Sequence, residues 1–518
     1  MSFLLDLSNF PTLLVASGGL LAALVVIAVV APKKRNPRGL PLPPGPKGLP
    51  IIGNTLQIPD FAKHPWEVYA ALCKEYGDMV YLTAMGQGIL VLSSLPRAVE
   101  LLDKRAAVYS SRPSIPALDL IEQDWSFGTM SYGNTWKAYR RAFHQQMNRN
   151  VVSRYHPIMI EERDGFLRKL KECPTDFPEH LRLLFGKVIM RTSYGIDDMN
   201  QNELFIHNAE SIVSAFGDSI APGKYLVNTF PLLRHVPDWI PGAGFQKTFK
   251  KVVEITRKAV ALPYREAKAG LAQGIRSIHP SMVASFIEEL PDEDKPERQE
   301  AEARAMHVCA TTYIAGADTT VASAMALILA LASHPDVQMA AQAEIDNVVG
   351  QGRLPVITDR PSLPYVHAIV KELGRWHTVA PLGITHTTDS DDEYDGYFIP
   401  KGTFVMANSW AIMHDPDMFE RPFDFAPERY LKDGKINELV PDPEVAAFGF
   451  GRRICPGRYF SNDGLFLLTA SLLATFDISP QKDEFGNPVA LKLEVLSELV
   501  AKPLPFKCNF TLRPGRDV

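Results

Sequence analysis

The sequence predicts a mainly α-helical protein with a small β region, a single large domain behind an N-terminal transmembrane helix. Three observations carry that reading. Apolar residues recur at helical spacing through most of the body, and the longest such stretch, 299–333, is apolar nearly all round after Val308. Short strand-like runs bounded by Gly and Pro gather near 79–92, 384–400 and 474–511. Residues 11–31 form an uncharged apolar run whose helix, at about 1.5 Å per residue, matches a hydrocarbon core of roughly 30 Å.

Composition narrows the class. The chain has 518 residues, with 54 basic and 59 acidic side chains and a net charge of −5. No basic block stands out, which argues against a nucleic-acid partner. At 46% hydrophobic and 22% charged it is globular, and it is long enough to bury a large core. Five cysteines, at 73, 173, 309, 455 and 508, form no C-x-x-C pair. That argues against a secreted disulfide scaffold and a structural zinc site, and suits a reducing compartment.

The elements follow in order. Only Asp6 is charged before the apolar run, whereas Lys33, Lys34, Arg35 and Arg38 follow it. The positive-inside rule places residues 1–10 in the lumen, 11–31 across the membrane and the rest in the cytosol. A cleaved signal peptide, the alternative, wants basic residues before a shorter run. Residues 32–50 are basic and then proline-rich, a stiff spacer or an SH3-type ligand. In the body, 51–518, helices are expected at 66–76 and 97–104 around a strand pair, 79–83 and 89–92, that turns at Gly86-Gln87-Gly88. Further helices are expected at 134–149, 153–171, 243–268, 335–349 and 364–377. No internal repeat or linker divides the body. Asn509-Phe510-Thr511 is a glycosylation acceptor by pattern, but a cytosolic domain does not meet that machinery.

Residues 447–460 read AFGFGRRICPGRYF. Cys455 sits among Gly449, Gly451 and Gly457, with Arg452 and Arg453 just before it. Glycines allow tight turns that aim N–H groups at a neighbouring sulfur, and these donors with the arginines favour thiolate over thiol. A thiolate so held suits one axial bond to haem iron. A buried core cysteine in a glycine turn is the other reading.

The spacing Phe448-x-x-Gly451-x-Arg453-x-Cys455-x-Gly457 resembles the haem-binding signature of the cytochrome P-450 monooxygenases. The resemblance implies that Cys455 is the axial ligand of a haem b iron. Glu372-Leu373-Gly374-Arg375 resembles the family's E-x-x-R pair, and Phe425-Ala426-Pro427-Glu428-Arg429 supplies Arg429 as its third, structural partner. Trp136-x-x-x-Arg140 resembles the W-x-x-x-R motif, which with Arg453 and His386 implies a cationic clamp for two haem carboxylates. Prolines usual at 378 and 385 are replaced by threonines, and a turn histidine satisfied by backbone is the alternative for His386. Ala315-Gly316-Ala317-Asp318-Thr319-Thr320 resembles the oxygen-activation motif, with Asp318 and Thr319 as its acid–alcohol pair. A capping or salt-bridged Asp318 is the alternative there. Small residues at 315–317 let a flat ligand approach the helix, and Thr319 can back-bond. The match runs from the apolar N-terminus to Lys502-Pro503-Leu504-Pro505-Phe506, and 66–82 and 230–245 look most like fungal microsomal members near the O-methylsterigmatocystin oxidoreductase group.

The resemblance implies a monooxygenase of the endoplasmic-reticulum membrane that inserts one oxygen atom of O2 into an apolar small molecule. Electrons come from NADPH through a separate reductase, since no Gly-rich nucleotide motif appears, with cytochrome b5 as an auxiliary donor. A terpenoid of secondary metabolism is the first expectation, an aromatic polyketide or a xenobiotic the second. The rivals are a non-catalytic haem sensor, which has no need of Asp318 and Thr319, and a haem-thiolate isomerase or dehydratase, in which that pair is often altered. By family position, 113–132, 211–228, 313–317, 379–384 and 497–501 should line the pocket, with Asp119, Glu122 and Asp124 as its acidic exceptions.

Overall fold

A computed structural model describes residues 36–516 apart from 198 and 222. The expected lumenal segment 1–10, the anchor 11–31 and the first residues of the tether lie outside the described residues. The described part of the tether is not a free spacer. Tyr81 N donates to Pro44 O at 2.7 Å and Phe398 N to Pro41 O at 2.8 Å, so the proline-rich stretch is docked on the β region. Prolines lack an N–H but keep their carbonyls, which is the side this contact uses.

The architecture is α-rich, as expected. The long helix spans Arg298–Ser333, one residue more than the sequence pattern, and crosses the middle of the domain. Among the described residues it is the one helix long and apolar enough to cross a membrane, yet 72% of its most apolar window is buried within the fold. Its C-terminal half, Ala324 to Ala332, packs with helices Phe177–Tyr194, Arg458–Thr475 and Pro364–Trp376 in the largest core cluster. Its N-terminal half packs with helices Asn134–Met147 and Met199–Ile220. The expected helices at 153–171, 243–268 and 335–349 appear as His156–Glu172, Phe245–Ala272 and Pro335–Val348. Three long helices escape the sequence pattern, Phe177–Tyr194, Met199–Ile220 and Arg458–Thr475, along with several short ones such as Met282–Glu288.

The main sheet has four strands in the order Met79–Ala84, Gln87–Leu92, Phe404–Ala407, His386–Thr387. The first pair is antiparallel with Met79 opposite Leu92, and the second strand runs parallel to the third with Ile89 opposite Phe404. The hairpin turns one residue earlier than the glycines indicated. Met85 and Gly86 both have positive φ, 47° and 86°, as a two-residue turn matching strand twist requires. Gly88 is instead a strand residue, where a Cβ would meet the Tyr81 hydroxyl at 2.1 Å. The sheet sets His386 at one edge, beside the site.

Candidate active site

Cys455 lies on the loop that enters helix Arg458–Thr475. Gly451 has φ +51°, and a Cβ there would stand 2.4 Å from Leu102 O, so only glycine makes this bend. Cys455 N then donates to Phe448 O at 2.7 Å, which closes the loop. The N–H groups of Gly457 and Arg458, at the helix start, are aimed at the sulfur. The charges that act on it belong to Arg140 and Arg458, not to the adjacent Arg452 and Arg453 the sequence pointed to. The expected thiolate preference is also corrected. Burial outweighs the N–H groups and both arginines and raises the thiol above its usual range. A cationic metal bound to the sulfur would reverse that balance.

Cys455 faces a cavity of about 460 Å³ that Ala315, Gly316 and Thr319 of the long helix also line. Ala315 is exposed although it sits mid-helix, because its methyl faces that cavity. Thr319 Oγ1 donates to Ala315 O at 2.9 Å, the back-bond the sequence indicated. Phe448 and Gly457 line the same cavity, and a Cβ on Gly457 would stand in its open space with no protein atom within 4 Å.

Five arginines line this cavity; Arg163 and Arg360 are paired with Asp164 and Asp463, and the other three are Arg112, Arg140 and Arg453. Arg453 donates to Ser110 O, Phe127 O and Met130 O, and its charged carbon lies 4.4 Å over the Trp136 ring. Trp136 Nε1 donates to the same Phe127 O at 3.1 Å, and Arg140 Nη2 donates to Ile454 O at 2.6 Å. Arg112, which the sequence pattern did not single out, donates to Gly128 O and Thr385 O. No ion pair to a carboxylate is found for any of the three among the described residues. Burial therefore presses on their charge, lowering Arg140 and Arg453 to about 10 and Arg112 well below the usual arginine range. His386 is brought to the cavity but not as a cation. Burial and the nearby Arg112 hold its imidazole neutral, and Nδ1 donates to Tyr109 O at 2.8 Å. The cations on this wall without a carboxylate partner are thus Arg112, Arg140 and Arg453, with a neutral His386 beside them.

Glu372, Arg375 and Arg429 meet beneath the cavity. Arg375 grips Glu372 through Nε and Nη2, both at 2.8 Å, and Arg429 Nε lies 3.0 Å from Glu372 Oε2. Glu372 and Arg375 are fully buried.

Asp318 shows the salt-bridged alternative that the sequence left open. It has an electrostatic reason for its place, an ion pair to Lys502 Nζ at 2.7 Å, and it does not line the cavity. Two expected wall segments also turn away. Val227 packs with Ala117, Leu118 and Phe249 outside the cavity, and Ser497 Oγ donates to Phe61 O. The acidic exceptions face outward, Asp119 toward Arg234 at 3.4 Å and Glu122 toward Arg257 at 2.5 Å.

A protein-family model for cytochrome P-450 matches residues 43–510. The chain belongs to the cytochrome P-450 family. It is 54% identical over 503 residues to the cytochrome P-450 monooxygenase COX1 of Coprinopsis cinerea, covering 96% of this chain and 97% of that one. It is 44% identical over 510 residues to COX2 of the same fungus, covering 98% and 95%. It is 40% identical over 477 residues to the monooxygenase eriA of Hericium erinaceus, covering 91% and 89%. Membership of the cytochrome P-450 family implies haem iron as cofactor. The site passes the physical test for such a group. Buried Arg112 and Arg453 and half-buried Arg140 lack carboxylate partners among the described residues, one thiol faces the cavity, and a glycine leaves that cavity open for a flat ligand.

Proposed function

We propose that the chain is a haem-thiolate monooxygenase with Cys455 as axial ligand. The observation that carries this is one cavity faced by the Cys455 loop, by the small residues of the long helix and by three guanidiniums without carboxylate partners. Arg112, Arg140 and Arg453 would hold the haem carboxylates, and neutral His386 would offer Nε2 as a further polar contact. Phe448, Gly451 and Gly457 shape the loop, and Trp136 stacks under Arg453. Thiolate-ligated haem supplies oxygen activation when bound.

The protein's part in the chemistry is positioning and protons. Thr319 Oγ1 is tied to Ala315 O through its proton, which leaves its lone pairs to accept from a water in the cavity. Asp318, its sequence neighbour, is the acid that passes protons from the solvent side. Thr319→Ala is expected to keep substrate binding and NADPH consumption while product per NADPH falls severalfold and hydrogen peroxide rises. Asp318→Asn is expected to slow turnover, since positioned acid–base groups contribute about 10²–10⁴-fold. Paired assays of NADPH, peroxide and product check both, and unchanged coupling in Thr319→Ala removes that residue from the proton route.

The substrate in this reading is an apolar small molecule. Phe127, Ile189, Val379 and Ile384 line the cavity, and Asp119 and Glu122 put no charge into it. A terpenoid scaffold is the substrate class we infer. Expression in yeast with a reductase and a panel of terpenoid and aromatic polyketide scaffolds tests this. Oxidation of terpenoids is expected, and oxidation of aromatic polyketides alone overturns it.

The same reading places the enzyme on the endoplasmic-reticulum membrane by residues 11–31, catalytic domain in the cytosol, with electrons from NADPH through a separate reductase and from cytochrome b5 as an auxiliary. Deleting residues 1–31 is expected to move much of the protein from the membrane pellet to the soluble fraction with haem content retained. A truncated chain that stays fully in the pellet contradicts the anchor's role.

A further inference from the structure

Five hydroxyl-bearing residues of the long helix line the cavity: Thr311, Thr312, Thr319, Thr320 and Ser323. A threonine inside a helix ordinarily donates to the carbonyl four residues back. Thr312 Oγ1 does so to Val308 O at 2.8 Å, and Thr319 Oγ1 to Ala315 O at 2.9 Å. Thr311 does not. The residue lines the cavity and is only 9% exposed, yet among the described residues its Oγ1 finds no partner, His307 O included. Thr320 and Ser323 lie past Thr319, toward the half of the helix that packs into the largest core cluster.

An enclosed hydroxyl without a partner destabilises the fold, so its persistence calls for something else that supplies the partner. Two other bare atoms on the cavity wall already have a structural use for their groups. Arg360 Nε is bare, but the same guanidinium is paired with Asp463 at 2.8 Å. His377 Nδ1 is bare, but the ring, held neutral by burial, donates through Nε2 to Ala501 O at 2.7 Å and ties that residue to the end of helix Pro364–Trp376. Thr311 has no such second use. A threonine in a helix has two χ1 rotamers open to it, so one rotation turns Oγ1 to the cavity with the backbone unmoved. The cavity also carries Phe127, Ile189, Val379 and Ile384, so an apolar skeleton meets few hydrogen-bonding groups there and each one fixes its orientation.

We propose that Thr311 is a specificity-determining residue whose hydroxyl donates to an oxygen already present on the substrate, so that the substrate is an oxygenated terpenoid, an alcohol or a ketone, and not the parent hydrocarbon. This rests on the reading of the cavity as a terpenoid site. Thr311 stands about 12 Å before Thr319 along the helix axis, at about 1.5 Å per residue. The skeleton lies along the helix with its oxygen at Thr311 and the carbon to be oxidised near Thr319. A reaction that puts the first oxygen on the skeleton, a monooxygenation or a cyclisation ended by water, must come before this one.

The test uses the full-length haem-loaded enzyme and three ligands that share one skeleton: a terpene hydrocarbon, its alcohol and its ketone. Titration followed by the haem absorbance shift gives a Kd for each. In the wild type the alcohol and the ketone are expected to bind about tenfold or more tighter than the hydrocarbon, because only they pair the buried hydroxyl. Thr311→Val keeps the side-chain shape and removes the hydroxyl. It is expected to bring the three Kd values together, and Thr311→Ser to restore the preference. With the reductase present, Thr311→Val spreads oxidation over several carbons where the wild type favours one. In the ligand-free protein Thr311→Val is expected to leave Tm unchanged or raise it, since the variant buries no bare hydroxyl. A Tm lowered by several degrees shows that the hydroxyl serves the fold and overturns the proposal. Equal Kd values in the wild type, or a preference that survives in Thr311→Val, overturn the role of Thr311 and leave the terpenoid reading standing. No absorbance shift with any of the three ligands overturns the terpenoid reading, and the role of Thr311 with it.

Discussion

Cys455→Ala gives a folded protein with no thiolate-type carbon monoxide difference band and no oxidised product. The loss is complete because no other thiol can take its place. Cys73 and Cys508 are buried elsewhere, with thiols pushed up to about 11 and about 12 by burial, and Cys309 is buried within the long helix. Cys173 is exposed and lines an outer cleft. None of the four faces the cavity that Cys455 lines. Difference spectroscopy on membranes checks the expectation, with far-UV dichroism to show that the helices persist. A retained band contradicts Cys455 as ligand and redirects the search to the other four.

Glu372→Ala is expected to abolish folded haemoprotein. The carboxylate is fully buried between Arg375 and Arg429 and also accepts from Ala426 N at 2.9 Å. Arg375 donates further to Met413 O at 3.1 Å and Pro422 O at 2.5 Å, so the triad ties residues 413–429 to helix Pro364–Trp376 beneath the cavity. Removing one partner of a buried pair costs about 3–5 kcal/mol. That is a large share of a total stability of roughly 5–15 kcal/mol. Thermal unfolding and haem content of the purified variant measure the effect. A Glu372→Ala protein that unfolds at the wild-type temperature with full haem removes the triad from the scaffold's support.

The Cys455 loop and the Glu372–Arg375 pair were legible because their chemistry needs fixed residue types at fixed short spacings. The Trp136–Arg140 pair shares one helix face for the same reason, and both reach the cavity. Helix Arg458–Thr475 was not legible. Leu465 to Thr475 is buried without interruption, so it carries no polar stripe from which a helical period could be read. Phe177–Tyr194, buried over much of its surface, hid for the same reason.

Other features depend on three dimensions. The Asp318–Lys502 pair joins residues far apart in the chain, which no local pattern brings together. Arg112 carries no motif, and only its burial beside Arg453 marks it. The neutrality of His386 is likewise a product of burial, which spacing does not encode. Segments 211–228 and 497–501 were expected at the pocket by position, yet the first packs over the short helix Pro116–Leu120 and the second pairs its Ala501 carbonyl with His377. Position along the chain was a weaker guide than the chemistry of side chains.

Insertion of one atom of dioxygen is read most directly from the oxygen balance of the product. Yeast membranes carrying the full chain and its reductase are given the oxidised scaffold's precursor and NADPH under isotopically heavy dioxygen, then under ordinary dioxygen in heavy water. A monooxygenase gives one heavy atom per oxidation in the first case, none in the second, and no product without NADPH. A product that forms without NADPH, or that carries no oxygen from dioxygen, contradicts it and points to a haem-thiolate isomerase or dehydratase instead.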